Sequence, residues 1–93
     1  MAFLINTDDM VTEIGPGGGR STFTLEELQK LVGGYIEIVS LANGDLLVVN
    51  EDGMALGLPT NERATMIAER DRVRMGPGGI LGDVVRCKRK EID

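Results

Sequence analysis

The dipeptide Asn43-Gly44 constrains the fold of this chain more than any other feature. It separates two β-rich segments, residues 34–41 and 45–50, which are dominated by Ile, Leu and Val. Asn-Gly is favoured in two-residue hairpin loops of type I′, because both loop residues then need a positive φ. The sequence therefore predicts a β-hairpin that turns at Asn43-Gly44.

The register of this hairpin places polar residues at its open end. Counting outward from a two-residue loop pairs Glu37 with Asn50 and puts Tyr35 on the same face. A carboxylate in an apolar strand must be exposed at an edge, paired with a partner or used for function. The amide of Asn50 is such a partner, because an amide can donate a hydrogen bond to a carboxylate. We therefore expect a small polar cluster that either binds a ligand or stabilises the sheet. Apolar residues on both faces near the turn predict a hairpin that is buried on both sides or central in the sheet.

The first third of the chain predicts a second hairpin and a helix. Residues 2–6 and 10–14 are short β-like runs separated by turn residues. A helix over residues 24–32 is indicated by Thr24 and Glu27, which have the spacing of a capping box. A glycine follows the last helical residue, where a helix often ends in a left-handed conformation.

The rest of the chain predicts a second helix and a closing strand. The helix covers residues 60–69, with Thr60 or Asn61 as its N-cap. Residues 54–56 are expected to add a short strand, and residues 80–87 form the last one. This order of elements predicts an α+β fold: a small mixed or antiparallel sheet around a central β-hairpin, with two short helices.

The chain of 93 residues is long enough for one domain with a modest core. We expect a single domain over residues 1–93, in which residues 19–23 form a flexible lead-in to the first helix and residues 88–93 form a polar tail. This size is compatible with a homodimer. No apolar run approaches the roughly 20 residues needed to cross a bilayer, and no secretion signal is recognisable. With a single cysteine, Cys87, a reduced cytoplasmic setting is the simplest expectation.

Charge is distributed unevenly along the chain, whose formal net charge is −5. Residues 1–62 carry two basic and ten acidic side chains, whereas residues 63–93 carry eight basic and five acidic ones. The basic end could meet phosphates, or it could be a solvated helix end followed by a fraying tail. Because the acidic remainder would repel a long polyanion, nucleic acid is not the expected partner.

The residue types indicate binding and not catalysis. Histidine, the commonest general base and metal ligand, is absent. The carboxylates of Glu37 and Glu51 could cooperate in acid–base chemistry, but the predicted register places them on opposite faces. No acidic segment has the EF-hand pattern of a calcium-binding loop. We therefore expect a protein that is not an enzyme and uses no cofactor or metal.

A glycine-rich loop, residues 15–19, supplies the remaining candidates. Arg20 follows this loop and could close over an anionic ligand, although a plain connector is the alternative. Asn61 lies at the start of the second helix, where simple capping is the alternative. The candidate ligand-binding residues are Arg20, Tyr35, Glu37, Asn50 and Asn61.

Four short segments resemble the small proteins grouped as domain of unknown function 3846. They are residues 31–37 (LVGGYIE), 49–53 (VNEDG), 58–61 (LPTN) and 82–83. Such proteins are widespread in phage and mobile-element genomes, and no reaction is established for the family. The resemblance implies an accessory or counter-defence protein of the host cell cytoplasm that sequesters a small anionic ligand, such as a signalling nucleotide. The alternative is a module that blocks or recruits a host protein through its acidic surface.

Overall fold

The computed structural model describes residues 1–93 and has five strands and two α-helices. The elements are β1 (Ala2–Ile5), β2 (Val11–Ile14), α1 (Leu25–Val32), β3 (Ile36–Ser40), β4 (Asp45–Asn50), α2 (Glu62–Arg70) and β5 (Val84–Lys88). All neighbouring strands are antiparallel, and their order is β2-β1-β5-β4-β3. The last strand therefore lies in the middle of the sheet. This arrangement confirms the predicted α+β fold. Neither helix is long and apolar enough to cross a membrane.

The two helices lie on opposite faces of the sheet, which we call the α1 face and the α2 face. Each face carries its own apolar cluster. The α1 cluster consists of Ala2, Phe23, Leu28, Val32, Leu46, Val48, Val85 and Cys87. The α2 cluster consists of Leu41, Leu47, Val49, Ala64, Ala68, Ile80 and Val84. Strand β4 alternates between them and is buried throughout, as predicted for this hairpin, whereas β3 is an edge strand and not central.

Local signals in the first third of the chain are confirmed. The N-terminal hairpin forms from β1 and β2. Thr24 is the N-cap of α1, and both hydrogen bonds of the predicted capping box with Glu27 are present. Gly33 ends the helix with a φ of 83°, the left-handed conformation that a glycine adopts without steric cost.

The loop of the central hairpin is one residue longer than predicted. The Leu41 N–H donates to the Asp45 carbonyl at 2.9 Å, so Ala42, Asn43 and Gly44 form the loop. Only Gly44 has a positive φ, of 91°, as in a type I turn closed by a glycine bulge. The Asn43 side chain accepts the Asp45 N–H and stabilises this form. The predicted type I′ turn is therefore wrong.

The second half of the chain departs from prediction at several boundaries. Residues 54–56 belong to a series of turns and not to a strand. Asn61, and not Thr60, is the N-cap of α2. Strand β5 begins at Val84, later than predicted, because the Gly82 N–H bonds to the Pro59 carbonyl outside the sheet.

The C-terminal segment packs against the body of the protein. Residues Arg89–Glu91 form a 3-10 turn, and Ile92 pairs with Phe23. The Phe23 N–H donates to the Glu91 carbonyl, and its own carbonyl accepts from the Asp93 N–H. These bonds bring the C-terminal end over the α1 face, where Ile92 packs against the α1 cluster. The alternative of a fraying tail is therefore wrong.

Candidate functional site

The predicted cluster at the open end of the hairpin does not form. Glu37 pairs with Val49, and Ile36 pairs with Asn50, so the register is shifted by one residue. A shift of one residue moves a side chain to the other face of the sheet. Glu37 therefore lies on the α2 face and Asn50 on the α1 face. Tyr35 precedes β3, and its side chain is 67% exposed.

Asn50 is buried and fixes the end of α1. Its Nδ2 donates to the Val32 carbonyl at 3.1 Å, and its Oδ1 accepts the Asp52 N–H at 2.8 Å. The last carbonyls of a helix lack intrahelical partners, so the first bond satisfies one of them. Nδ2 also lies 3.0 Å from the position a Cβ would take on Gly34, which leaves little room for a larger residue there. The contacts of Asn50 are therefore structural.

Asn61 is fully buried and joins three parts of the fold. Its Nδ2 donates to the carbonyls of Ile5 and Gly82, both at 2.9 Å. Its Oδ1 accepts the Ala64 N–H at 3.0 Å and so caps α2. With these three bonds the amide ties β1, the segment before β5 and the start of α2 together. No part of the Asn61 side chain is exposed to solvent.

Arg20 is paired with the carboxylate that organises the glycine-rich loop. Glu27 accepts the Thr24 N–H at 2.9 Å and the Gly17 N–H at 2.7 Å, and Arg20 Nη2 forms a salt bridge with it. These backbone bonds, first that of Thr24 and then that of Gly17, together with Arg20, lower the pKa of Glu27 to about 2. In this structure the loop therefore surrounds a side chain of the protein itself.

Glu37 lines a groove at the sheet edge, which we call the β3 groove. Its volume is about 300 Å³. Val39 and Val49 contribute to its apolar part, and Arg74 adds a positive charge. The second glycine-rich loop, residues 76–79, forms part of its rim. Of the five predicted ligand residues, Glu37 lines this groove and β4 borders it at Asn50, whose side chain bonds to Val32 on the α1 face. Arg20, Tyr35 and Asn61 do not line it.

A larger cavity lies on the other side of α2, and we call it the arginine cavity. It encloses about 450 Å³ between α2, the β1–β2 turn and β5. Its lining consists of Asn6, Thr7, Asp9, Glu62, Arg63, Met66, Ile67, Arg70 and Arg86. Three guanidinium groups and two carboxylates thus surround one polar space, which gives the lining a small positive charge.

The three arginines of this cavity are held to different degrees. Arg86 donates from Nε to Asp45 Oδ2 at 3.1 Å, and Lys88 bonds to the other oxygen of the same carboxylate. The Lys88 hydrogen bond is the main reason why the pKa of Asp45 is lowered, with Arg86 adding to the effect. Arg63 donates to Asp9 at 2.7 Å, whereas Arg70 has no carboxylate within the 4.0 Å of a salt bridge. The guanidinium of Arg86 is therefore held in place by Asp45, that of Arg63 is paired at the surface, and that of Arg70 is unpaired.

In the sequence these arginines stand out only as part of a general basic region. A more specific signal exists in the helix, where Arg63 and Arg70 are seven residues apart and therefore share a face. Arg86 interrupts an apolar strand, as Glu37 does in β3. Its convergence with α2 depends on β5 entering the centre of the sheet, which no local pattern indicates.

Other reactive groups form no second centre. No group of three or more Cys, His, Asp or Glu side chains is arranged to hold a metal ion. Cys87 belongs to the α1 cluster, and burial raises the pKa of its thiol to about 11, with the nearby carboxylates Glu91 and Asp45 adding to the shift. A thiol with this pKa is almost entirely protonated, and hence unreactive, near neutral pH.

Comparisons with known proteins give a family and no further relative. Searches of curated proteins and of solved structures returned no match. A family model matches residues 2–93, which extends the resemblance of the short segments to essentially the whole chain. The chain therefore belongs to the family described as Domain of unknown function (DUF3846).

Proposed function

We propose that this protein binds a small phosphate-bearing anion in the arginine cavity and holds it without chemical change. The observation that carries the proposal is the convergence of Arg63, Arg70 and Arg86 on one cavity in a chain of net charge −5. Guanidinium groups offer paired donors that match phosphate oxygens and form charge-assisted hydrogen bonds. The volume of about 450 Å³ lies within the usual range of small-molecule sites.

The other residues of the cavity favour a nucleotide over a bare inorganic ion. Asp9 and Glu62 would repel part of a phosphate but can accept hydrogen bonds from ribose hydroxyls or base N–H groups. Asn6 and Thr7 add neutral polar groups at the β1–β2 turn. A ligand with a phosphate at one end and neutral hydrogen-bond donors at the other can bond to the arginines and to the two carboxylates at the same time. A signalling nucleotide has this chemistry.

The pairing of Asp9 with Arg63 supports retention without catalysis. Arg63 holds the pKa of Asp9 below its usual range, mainly through a direct hydrogen bond. A carboxylate that is so readily ionised is a weak proton acceptor and supplies no proton near neutral pH. The chain has no histidine that could take this role. We therefore propose sequestration in a reducing, cytoplasmic setting, where the single cysteine stays free.

Calorimetry with two charge-matched variants tests the site. The ligand panel comprises cyclic dinucleotides, ADP-ribose, pyrophosphate and inorganic phosphate. Arg70→Glu replaces the unpaired guanidinium with a carboxylate, whereas Lys90→Glu makes the same change in net charge at a residue that lines neither the arginine cavity nor the β3 groove. We expect one panel nucleotide to bind, with affinity reduced about tenfold or more by Arg70→Glu and unchanged by Lys90→Glu.

Two results would contradict this proposal. One is the absence of heat of binding and of thermal stabilisation across the panel. The other is equal weakening by both variants, which would indicate a general charge effect and no defined site. Mass spectrometry of the bound nucleotide after prolonged incubation tests retention separately. Recovery of the intact ligand supports sequestration, and recovery of a cleaved product would show an enzyme.

A further inference from the structure

We propose that two copies of this chain pair through their β3 strands and form a symmetric dimer with a continuous ten-stranded sheet. Strand β3 is at the end of the sheet and has β4 as its only neighbour. An edge strand of five residues is a template for further strand pairing unless something blocks it. Ile38 and Tyr35 are 39% and 67% exposed beside this edge, so apolar surface accompanies the open backbone.

The hydrogen bonds to β4 show which backbone groups of β3 are open. Tyr35 accepts the Glu51 N–H, and Leu41 donates to the Asp45 carbonyl. In an antiparallel pair, hydrogen-bonded residues alternate with residues whose N–H and C=O point the other way. The odd-numbered residues therefore bond to β4. The peptide groups that point away from the sheet belong to Ile36, Ile38 and Ser40.

This open set of groups is self-complementary about Ile38. A two-fold axis at Ile38 pairs that residue with Ile38 of the second copy and pairs Ile36 with Ser40 of the second copy. All three N–H and three C=O groups of each copy then find partners, because every pair joins outward-pointing residues. On the α1 face the two Ile38 side chains meet. Symmetric dimers with identical patches on both subunits are the commonest protein oligomers.

The same register gives Glu37 an oppositely charged neighbour. With the axis at Ile38, Glu37 lies opposite Val39 of the second copy on the α2 face. Val39 and Arg74 line the same β3 groove. The carboxylate of each copy, which lines its own groove, thus also faces the groove of the second copy, which contains Arg74. This charge complementarity explains why an acidic residue interrupts the apolar strand β3.

The size of the fold and its other edge also favour this pairing. Only 21 of the 93 residues are buried, so a small core leaves stability to be gained from association. The Asn6 N–H bonds to the Met10 carbonyl, and the same alternation leaves only Val11 and Glu13 of β2 pointing outward. Pairing through β3 also leaves the arginine cavity open, because no residue of β3 lines it.

Sedimentation equilibrium with two proline variants tests the dimer. The Ile38 N–H has no partner within one copy, so Ile38→Pro removes an intermolecular donor and keeps the bonds to β4. Glu13→Pro makes the equivalent change on β2 and is the matched control. We expect a dimer for the unmodified protein and for Glu13→Pro, and at least a tenfold higher dissociation constant for Ile38→Pro. A monomeric unmodified protein at millimolar concentration, or a folded Ile38→Pro with an unchanged dissociation constant, would overturn the proposal.

A charge exchange tests the register and remains decisive if Ile38→Pro does not fold. Glu37→Arg and Arg74→Glu each place like charges together across the proposed interface. We expect each single variant to raise the dissociation constant several-fold, and the double variant to restore it towards the unmodified value. Additive weakening in the double variant would overturn the proposed register. A dimer unaffected by all three variants would place the interface elsewhere.

Discussion

The two faces of the sheet differ in how completely they are covered. On the α1 face, the helix contributes Leu28 and Val32 to the core, and Phe23 and the C-terminal Ile92 close the remaining space. On the α2 face, the helix contributes the small residues Ala64 and Ala68 to the buried cluster, and its Ile67 packs against that cluster while only partly buried. The arginine cavity and the β3 groove both lie on the α2 face, on either side of α2 and the segment that follows it.

This difference separates stability from binding. The α1 face buries large apolar side chains and keeps the thiol of Cys87 protonated and unreactive near neutral pH. The α2 face carries charges beside its core, with Asp45 only 13% exposed in its side chain yet bonded to both Arg86 and Lys88. Charged groups of this kind stabilise a fold weakly. We therefore expect substitutions on the two faces to have different consequences.

The largest effect is expected for Leu28→Ala on the α1 face. Leu28 has no exposed surface, and its truncation leaves a cavity in the larger cluster. We expect the free energy of unfolding to fall by about 2–5 kcal/mol, measured by urea denaturation. Leu25→Ala is the matched control, because Leu25 lies on the same helix but is 52% exposed. A similar loss in both variants would contradict the proposed closure of this face.

A smaller but still large effect is expected for Asn61→Ala. This substitution removes the cap of α2 and leaves the buried carbonyls of Ile5 and Gly82 without their donor. The expected loss is about 2–4 kcal/mol of unfolding free energy. Thr60→Ala is the control, since Thr60 is exposed and donates one hydrogen bond to Gly78. Equal losses in the two variants would show that the hydrogen bonds of the Asn61 side chain are not what holds α2 against the sheet.

The pH dependence of stability should report on Glu27 beside α1. Its pKa in the folded protein, about 2, lies below the ordinary value of 4.5. A lowered pKa means that the ionised form stabilises the fold, so this contribution is complete above pH 4.5 and is lost as the pH falls towards 2. Between these pH values the free energy of unfolding, measured by urea denaturation, should decline less steeply for Glu27→Gln than for the unmodified protein. An unchanged decline would assign the acid sensitivity to other carboxylates.

The smallest change in stability is expected for Arg70→Ala in the arginine cavity. Arg70 forms no salt bridge and lies at the exposed end of α2. We expect its replacement to alter the unfolding free energy by less than about 0.5 kcal/mol. Thermal and urea denaturation check this expectation. A loss comparable to that of Leu28→Ala would show that Arg70 stabilises the fold. The proposed division between a stabilising α1 face and a binding α2 face would then be wrong.

Local patterns predicted much of the fold but not the site. The capping box at Thr24 and the left-handed Gly33 depend on neighbouring residues, so the sequence reveals them directly. The hairpin register failed because Asn-Gly fits both a two-residue loop and a three-residue loop in which only Gly44 needs a positive φ. The resulting register shift of one residue places the side chains of Glu37 and Asn50 on opposite faces. The arginine cavity depends on long-range pairing of β5, which no short pattern encodes.

The most direct test of ligand binding in the arginine cavity is a map of ligand-induced NMR shifts on the backbone amides. The protein would be titrated with the nucleotide that binds in calorimetry, or with ADP-ribose if none is detected. We predict shifts at Thr7, Arg63, Arg70 and Arg86, around the arginine cavity, with the amides of the α1 cluster unchanged. Shifts confined to the α1 face or to the glycine-rich loop beside Arg20, or no shifts at millimolar ligand, would contradict it.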